Sequence, residues 1–190
     1  MNNRWHFYCE GAYDCMNARL YRWRIPGQDV RNLTRIFYAG VFDCGLPQHT
    51  GLISERAYDN ILHGKKVTHD HYLSPQFIAR MIYDNPEKYL NDYDTFTDIF
   101  WKSTATVKLT KDENDILSKL TVNDSFDLKV LVPTDKKYNH VGIKLLRYHK
   151  TSKRQSWKDV SVKSVNNDEL YFPPELLEYE KQYLVEKGDA

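Results

Sequence analysis

The sequence predicts an α+β fold, in which a mixed or antiparallel sheet is combined with several short helices. Short apolar runs rich in β-branched residues indicate strands, and residues 105–109 (ATVKL) are the clearest example. Serine or threonine in a capping position indicates separate short helices that begin after Ser54, Ser74 and Thr110. With 190 residues, of which 41% are hydrophobic and 28% charged, the chain has the size and composition of one globular domain.

In the first part of the chain, the apolar groups Ile36-Phe37-Tyr38 and Val41-Phe42 predict a strand, or one arm of a hairpin, within residues 31–43. Ser54 is the expected N-cap of a short helix that Gly64 closes.

A second helix is predicted over residues 75–84. Ser74 suits its N-cap, Pro75 suits its first position, and apolar residues recur at helical spacing. A short helix at residues 86–90 is expected to follow. Residues 94–101 (DTFTDIFW) fit either a helix or a strand.

In the second part of the chain, the strand at residues 105–109 leads into a helix that extends to Leu120. Thr110 caps this helix, and Glu113, three residues later, completes a capping box. Further apolar runs predict three strands, at residues 127–133, 141–149 and 158–165. The pair Pro173-Pro174 predicts the start of a final helix over residues 175–186.

Composition excludes several classes of protein. The formal net charge of +1 excludes a surface that is basic all round. No apolar run approaches the ~20 residues that a membrane helix needs, and the N-terminus lacks the apolar core of a signal peptide. Three cysteines, an odd number, are typical of reduced thiols, so we expect a cytoplasmic protein that does not enter a membrane. Phosphate-binding glycine motifs are absent from the sequence.

Charge is nevertheless distributed unevenly along the chain. Residues 144–163 contain seven basic side chains and one acidic side chain, Asp159. The aromatic residues Tyr148 and Trp157, together with His149, are interleaved with this charge. Such a segment is typical of nucleic-acid contacts, and the alternative is a solvated strand face. The residues expected to contact phosphates are Lys144, Arg147, Lys150, Lys153, Arg154 and Lys158.

The sharpest local pattern is the triplet His69-Asp70-His71, directly before the helix predicted at residues 75–84. In an extended segment the two histidines point to one side and the aspartate to the other. Imidazole is a natural general base, and a carboxylate is a natural ligand for Mg²⁺. Hydrolysis of a phosphodiester uses both groups, although an exposed loop triplet is the alternative interpretation.

A family resemblance extends this pattern. Asp70-His71 is followed by Pro75, by the strand-like stretch Val107-Lys108-Leu109-Thr110 and by Asn114 on the next helix. Over residues 65–120 this order resembles the ββα-metal motif of the HNH (His-Me finger) endonucleases, which are common in phages and among homing enzymes. The resemblance implies that His71 activates water while Asp70 and Asn114, with His69 nearby, hold a divalent cation such as Mg²⁺ or Mn²⁺.

Two other arrangements are weaker. Asp98 together with Asp127-Leu128-Lys129 resembles the core of the PD-(D/E)xK nucleases, in which carboxylates bind Mg²⁺ and a lysine supports the attacking water. Separately, Cys9, Cys15, Cys44 and His49 provide three thiolates and one imidazole, a set that suits a structural Zn²⁺, and the alternative is that the cysteines are free and buried.

These patterns predict a phage-type, metal-dependent endonuclease that acts on double-stranded DNA. Its single domain would contain an N-terminal part (residues 1–64), a nuclease core (65–120) and a basic, strand-rich part that ends in a helix (121–190). Two alternatives remain open. One is a non-catalytic accessory or inhibitor protein that binds nucleic acid or another protein, and the other is a hydrolase that uses the same histidines on a small molecule.

Overall fold

The computed structural model of the chain describes residues 3–21, 29–43, 48–123, 128–152 and 154–185. The helices within these ranges are α1 (Asn3–Tyr21), α2 (Asp29–Asp43), α3 (Glu55–Leu62), α4 (Pro75–Asp84), α5 (Pro86–Tyr89), α6 (Tyr93–Ser103), α7 (Lys111–Leu117), α8 (Lys137–His140) and α9 (Pro174–Glu180). The strands are β1 (Gln48–Ser54), β2 (Thr68–His71), β3 (Ala105–Leu109), β4 (Thr121–Asn123), β5 (Leu128–Val130), β6 (Leu145–His149) and β7 (Ser161–Ser164). The predicted α+β class is confirmed.

The chain divides into two compact units, each built from several segments. The first unit consists of Met1–Gln48, His71–Ala105 and Asn123–Asp127, and the second of His49–Asp70, Thr106–Val122 and Leu128–Ala190. The three predicted parts of the chain do not correspond to these units, because each unit takes residues from all three parts.

The first unit is helical, and its helix α2 corrects the sequence prediction. The strand or hairpin arm expected at residues 31–43 is wrong, since this segment is helical throughout. Leu33, Phe37 and Val41 are all buried. Their spacing of four residues places them along one face of a helix, and this periodicity outweighs the β-propensity of the individual residues.

The core of the first unit is aromatic, and it explains why residues 94–101 are helical. Phe96 and Phe100 are buried one helical turn apart in α6, and Phe37 packs against both, with ring centroids at 6.0 and 5.5 Å. Asp92 caps the helix, because its carboxylate accepts a hydrogen bond of 2.9 Å from the Thr95 N–H.

The helices predicted at residues 75–84 and 86–90 are confirmed as α4 and α5. The Ser74 hydroxyl accepts from the Phe77 N–H at 3.4 Å, and Pro75 occupies the first turn of α4. Helix α1, in contrast, was not predicted, and its buried residues Cys9, Ala12 and Met16 follow a helical spacing that a short apolar run does not reveal.

The second unit is organised around a five-stranded mixed sheet with the strand order β2-β3-β1-β6-β7. Strand β6 pairs antiparallel with β1 and with β7. Strands β4 and β5 form a separate two-stranded sheet. Because β1 and β2 both lie beside β3, side chains from all three strands can meet on one face of the sheet.

Two helices of the second unit share one buried carboxylate. Glu113, on α7, accepts hydrogen bonds from the Thr110 N–H at 2.9 Å and the Thr110 hydroxyl at 3.0 Å, as the predicted capping box requires. The same carboxylate oxygen accepts from the Ser54 hydroxyl at 2.7 Å, and Ser54 caps α3. Glu113 therefore fixes the starts of both helices.

Several predicted boundaries are too wide. The helix after Thr110 ends at Leu117, and the strand predicted at residues 158–165 begins only at Ser161, because Trp157–Asp159 form a short 3-10 turn capped by Ser156. The final helix ends at Glu180 and continues as a 3-10 turn.

Candidate nucleic-acid interface

A histidine and a lysine meet at the edge of the five-stranded sheet. His69 lies on β2, and Lys108 lies on the neighbouring strand β3. The Lys108 Nζ is 2.8 Å from the His69 Nε2. A lysine ammonium only donates, so this hydrogen bond requires an unprotonated Nε2 on His69.

A second histidine joins the pair from the other side of β3. His49, on β1, has its ring centroid 5.3 Å from that of His69. The His49 Nδ1 lies 3.4 Å from the hydroxyl of Thr106, a buried residue of β3. The Thr50 hydroxyl donates to the Thr106 carbonyl oxygen at 2.9 Å, which connects β1 to β3 at the same point. Both imidazoles are exposed to solvent, so a ligand can reach them.

A second lysine contributes charge to the same face. Partial burial lowers the pKa of Lys108, and the nearby positive charge of Lys150 lowers it further. Lys150 directly follows β6, and its Nζ lies 4.7 Å from the ring centroid of Trp157. That distance is within the range of a cation–π interaction.

Aromatic rings border this charge. Trp157 lies beside Tyr148 on β6, with ring centroids 5.1 Å apart, and beside Tyr58 on α3, at 6.3 Å. The Tyr58 hydroxyl donates to the Trp157 carbonyl oxygen at 3.4 Å, which ties the 3-10 turn to the helix. Burial raises the pKa of the Tyr148 phenol, so this hydroxyl stays protonated well above neutral pH.

We call this group of eight side chains the cation–aromatic face, and all of them belong to the second unit. Its members are His49, Tyr58, His69, Thr106, Lys108, Tyr148, Lys150 and Trp157. Positive charge beside aromatic rings is the combination that attracts phosphates and stacks bases.

The basic segment predicted from the sequence does not place all its side chains on one face of the sheet. Arg147 alternates with Tyr148 along β6, so the two side chains lie on opposite faces of the sheet. Arg147 is in register with Lys163 of β7, and both are exposed. Lys144, Arg154 and Lys158 are exposed as well, and Lys153 lies outside the described residues. Of the five predicted phosphate contacts that the structure describes, Lys150 is the one that we assign to the cation–aromatic face.

The side chains of the triplet His69-Asp70-His71 have different partners. The Asp70 carboxylate accepts from the Lys137 ammonium at 2.9 Å and the Tyr138 hydroxyl at 3.3 Å. In the first unit, the His71 Nδ1–H donates to the Ser103 carbonyl oxygen at 3.2 Å. Asn114, the predicted helix ligand, lies on α7.

One predicted ligand of the divalent cation, Asp70, has a cationic neighbour. The Lys137 ammonium already neutralises the Asp70 carboxylate, and it would repel a divalent cation bound to the same oxygen. Across the part of the chain that the structure describes, no group of three or more histidine, cysteine, aspartate or glutamate side chains is placed to hold a metal ion. Metal binding by Asp70, Asn114 and His69 stays a prediction.

The predicted zinc donors are separated along α1. Cys9 is buried and its thiol lies 3.8 Å from the Thr97 hydroxyl, whereas Cys15 is exposed. Six residues advance a helix by about 9 Å and about 1.7 turns, so the two thiols lie on different faces of α1. Cys44 lies outside the described residues, and His49 belongs to the cation–aromatic face.

In the arrangement that resembles the PD-(D/E)xK nucleases, Asp98 has its partner on its own helix. Asp98 forms an ion pair of 2.6 Å with Lys102, one turn later on α6. Lys129 is exposed on β5, and Asp127 lies outside the described residues.

The site residues predicted from the sequence do not include Lys108 or Thr106, although both were placed in the strand at residues 105–109. The signal was present, because polar residues alternate there with the apolar Val107 and Leu109. What a local pattern cannot show is that His49 and His69 approach the same face from other strands.

Comparisons of the chain with protein-family models, with curated proteins and with solved structures gave no match. None of the helices in the described residues combines the length and the apolar character that crossing a membrane requires.

Proposed function

We propose that this chain binds nucleic acid through the cation–aromatic face. The observation that carries the proposal is the position of Lys150, whose ammonium lies over the Trp157 ring and raises the local positive charge at Lys108. Phosphates bind to the two ammonium groups, and bases stack on the rings of Trp157 and Tyr148. Since stacking needs an unpaired base, a single strand is the preferred form of the ligand.

Charge and stacking predict two different mutant signatures. Lys150→Gln removes one phosphate contact, so the slope of log affinity against log salt falls by about one. Trp157→Ala removes one stacking platform, which lowers the affinity by about 5- to 150-fold, the equivalent of ~1–3 kcal/mol, and leaves the salt slope unchanged. Fluorescence anisotropy of a labelled single strand, titrated at several salt concentrations, measures both quantities.

Lys163→Gln is the matched control. Lys163 is an exposed lysine of β7, the strand next to β6, but it is in register with Arg147 and so lies on the face opposite Tyr148. The proposal expects parent affinity in this variant. Equal losses in Lys163→Gln and Lys150→Gln would show diffuse charge attraction instead of a defined face. A duplex of the same sequence, titrated in parallel, compares the single strand proposed here with the double-stranded DNA that the sequence analysis predicted.

A second candidate is the metal-dependent endonuclease that the resemblance implies. It is favoured by the hydrogen bond from His71 to the Ser103 carbonyl oxygen, which holds the neutral ring as the Nδ1–H tautomer. In that tautomer Nε2 is the basic nitrogen, as a general base requires. The roles of Asp70 and Asn114 as ligands remain predictions of this second proposal.

The endonuclease is tested with supercoiled plasmid, in the presence of Mg²⁺ or Mn²⁺ and in EDTA. Nicking that needs the metal and is lost in His71→Ala supports it. Nicking that continues unchanged in His71→Ala contradicts the assignment of the base, and the His63→Ala variant, which alters an exposed histidine at the end of α3, serves as the control.

A further inference from the structure

His49, His69 and Lys108 form a cluster whose chemistry goes beyond binding. Two exposed imidazoles lie 5.3 Å apart between ring centroids, and an ammonium group is hydrogen-bonded to one of them. The three side chains come from β1, β2 and β3, so a rigid sheet sets their spacing. Two imidazoles and a cation are the groups needed for acid–base cleavage of a phosphodiester without a metal.

We propose that this cluster cleaves RNA by attack of the ribose 2′-hydroxyl on the adjacent phosphorus. The inference rests on the proposed function, because the same face must first bind the strand. RNA is the substrate class because it carries its own nucleophile beside each phosphate, whereas DNA lacks the 2′-hydroxyl.

The hydrogen bond between His69 and Lys108 assigns the base. Its geometry requires an unprotonated Nε2 on His69, and this nitrogen takes the proton from the 2′-hydroxyl. His49, as the imidazolium, gives a proton to the departing 5′-oxygen. When the phosphate enters, the flexible Lys108 ammonium moves from Nε2 to a non-bridging phosphate oxygen, where negative charge develops.

The step is balanced within the substrate and the two histidines. A bond forms between phosphorus and the 2′-oxygen, and the bond between phosphorus and the 5′-oxygen breaks. One proton moves to His69 and one leaves His49, so the products are a 2′,3′-cyclic phosphate and a free 5′-hydroxyl. No metal, oxidant or external nucleophile takes part.

The surroundings of the cluster suit this substrate. Lys150 adds positive charge close to Lys108, which stabilises the extra negative charge of the transition state. Trp157 and Tyr148 lie beside Lys150 and provide a stacking surface for a neighbouring base. The hydroxyl of Thr106, a buried residue of β3, contacts the His49 Nδ1 and orients the imidazole ring.

The test uses the full-length protein, EDTA throughout, and a fluorescently labelled single-stranded RNA. The expected result is cleavage to fragments that end in a 2′,3′-cyclic phosphate, identified by mass spectrometry. A strand of the same sequence with 2′-O-methyl groups is expected to bind and to remain intact. His49→Gln and His69→Gln are each expected to slow cleavage at saturating RNA by about 100-fold or more, while both still bind the strand.

His149→Gln is the matched control, because His149 is an exposed histidine of β6 on the face opposite Tyr148, and this variant should cleave at the parent rate. Lys108→Met should also slow cleavage at saturating RNA, and Lys108→Arg should restore part of it. Circular dichroism confirms that each variant is folded.

Each other outcome overturns the inference. RNA that binds but stays intact removes the activity and leaves the proposed binding function standing. RNA that does not bind contradicts the inference, and it contradicts the binding function as well if a DNA single strand of the same sequence also fails to bind. Cleavage of the 2′-O-methyl strand, cleavage that requires a metal, or unchanged cleavage in both histidine variants also rules out this mechanism.

Discussion

The Nζ of Lys108 lies 2.8 Å from the Nε2 of His69, on adjacent strands of the sheet. Burial is the main cause of the lowered pKa of Lys108, and the charge of Lys150 adds to it. A lysine in these surroundings loses its proton at a lower pH than an exposed lysine does. Below that pH, its ammonium group donates a hydrogen bond to the imidazole. The pair therefore links phosphate affinity to pH.

We expect affinity for a single strand to fall with rising pH before an ordinary lysine, with its pKa of about 10.4, would lose its charge. The sign follows from the lowered pKa, because above it Lys108 is neutral and one phosphate contact is lost. The other titratable groups near Lys108 are Lys150, His69 and His49. Anisotropy titrations between neutral pH and pH 10 measure the change.

The variant Lys108→Arg separates Lys108 from its neighbours. Arginine keeps its charge throughout this range, so the early fall in affinity should disappear in the variant. An unchanged pH profile would assign the titration to another group. Lys163→Gln, on the opposite face of the sheet, is expected to keep the parent profile.

The Glu113 carboxylate should be among the most sensitive positions for stability in the second unit. It is buried and accepts from the Ser54 hydroxyl and from two groups of Thr110. Glu113→Ala leaves these buried donors without an acceptor, and we expect the free energy of unfolding to fall by about 2–4 kcal/mol. Urea denaturation followed by circular dichroism measures the loss.

Asp115→Ala, at an exposed position on the same helix, is the control and should change the free energy of unfolding by less than about 0.5 kcal/mol. Glu113→Gln keeps one acceptor oxygen and should fall between the two. If Glu113→Ala is as stable as the control, the carboxylate does not hold the two helix starts together.

The sequence predicted the parts of the fold that depend on neighbouring residues. The caps at Ser54, Ser74 and Thr110 are local hydrogen bonds between residues three positions apart, and all three are confirmed. The strand predicted at residues 31–43 was wrong because Ile36 and Phe37 suit a strand locally, whereas the buried residues of the segment follow a helical spacing. Helical periodicity and packing thus outweighed local propensity in this segment.

The candidate site shows the same division. Its histidines at positions 49 and 69 and its aromatic residue Trp157 were noticed in the sequence, but as parts of three separate motifs. The face that unites them depends on the strand order β2-β3-β1-β6 and on contacts between distant residues, such as Tyr58 and Trp157, which are 99 positions apart. Asp70 was predicted as a metal ligand from its two neighbouring histidines and the family resemblance. Its partner in the structure, Lys137, is 67 positions away in the sequence, so no local pattern could show this ion pair.

Two glycines of the helical unit make a matched pair for packing. At Gly40 of α2, an added Cβ would lie 3.2 Å from the Phe100 ring and 3.3 Å from the Tyr8 carbonyl oxygen and the Ala12 Cβ. At Gly11 of α1, nothing lies within 4 Å of an added Cβ. Alanine gains about 1 kcal/mol over glycine in a helix, but close packing of two helices reverses this gain where no space exists.

We therefore expect Gly11→Ala to raise the free energy of unfolding by about 0.5–1 kcal/mol and Gly40→Ala to lower it by about 1 kcal/mol. Thermal unfolding of the two variants beside the parent measures the difference. Stabilisation by both substitutions would mean that α1 and α2 are not packed as closely as the structure shows.

The buried Glu180 gives a prediction about stability and pH. Burial is the main cause of its raised pKa, the positive charge of Lys137 and hydrogen bonds from Thr134 oppose the rise, and Asp135 adds to it. With a raised pKa, the folded chain holds a proton on Glu180 at pH values where the unfolded chain has released it. This contribution to stability is fully present below the unfolded pKa, about 4.3, and is lost as the pH rises through the folded value.

Glu180→Gln keeps an acceptor for the Thr134 N–H, which donates to Glu180 at 2.9 Å, and it cannot ionise. We expect the variant to lose this pH-dependent fall in stability and to match or exceed the parent at neutral pH. Urea denaturation of both proteins between pH 4 and pH 8 measures the two profiles. Glu178→Gln, at an exposed position of the same helix, is the control and should follow the parent profile. A Glu180→Gln profile parallel to that of the parent would show that Glu180 is already ionised at the lower end of this range and that its burial is offset by Lys137 and Thr134.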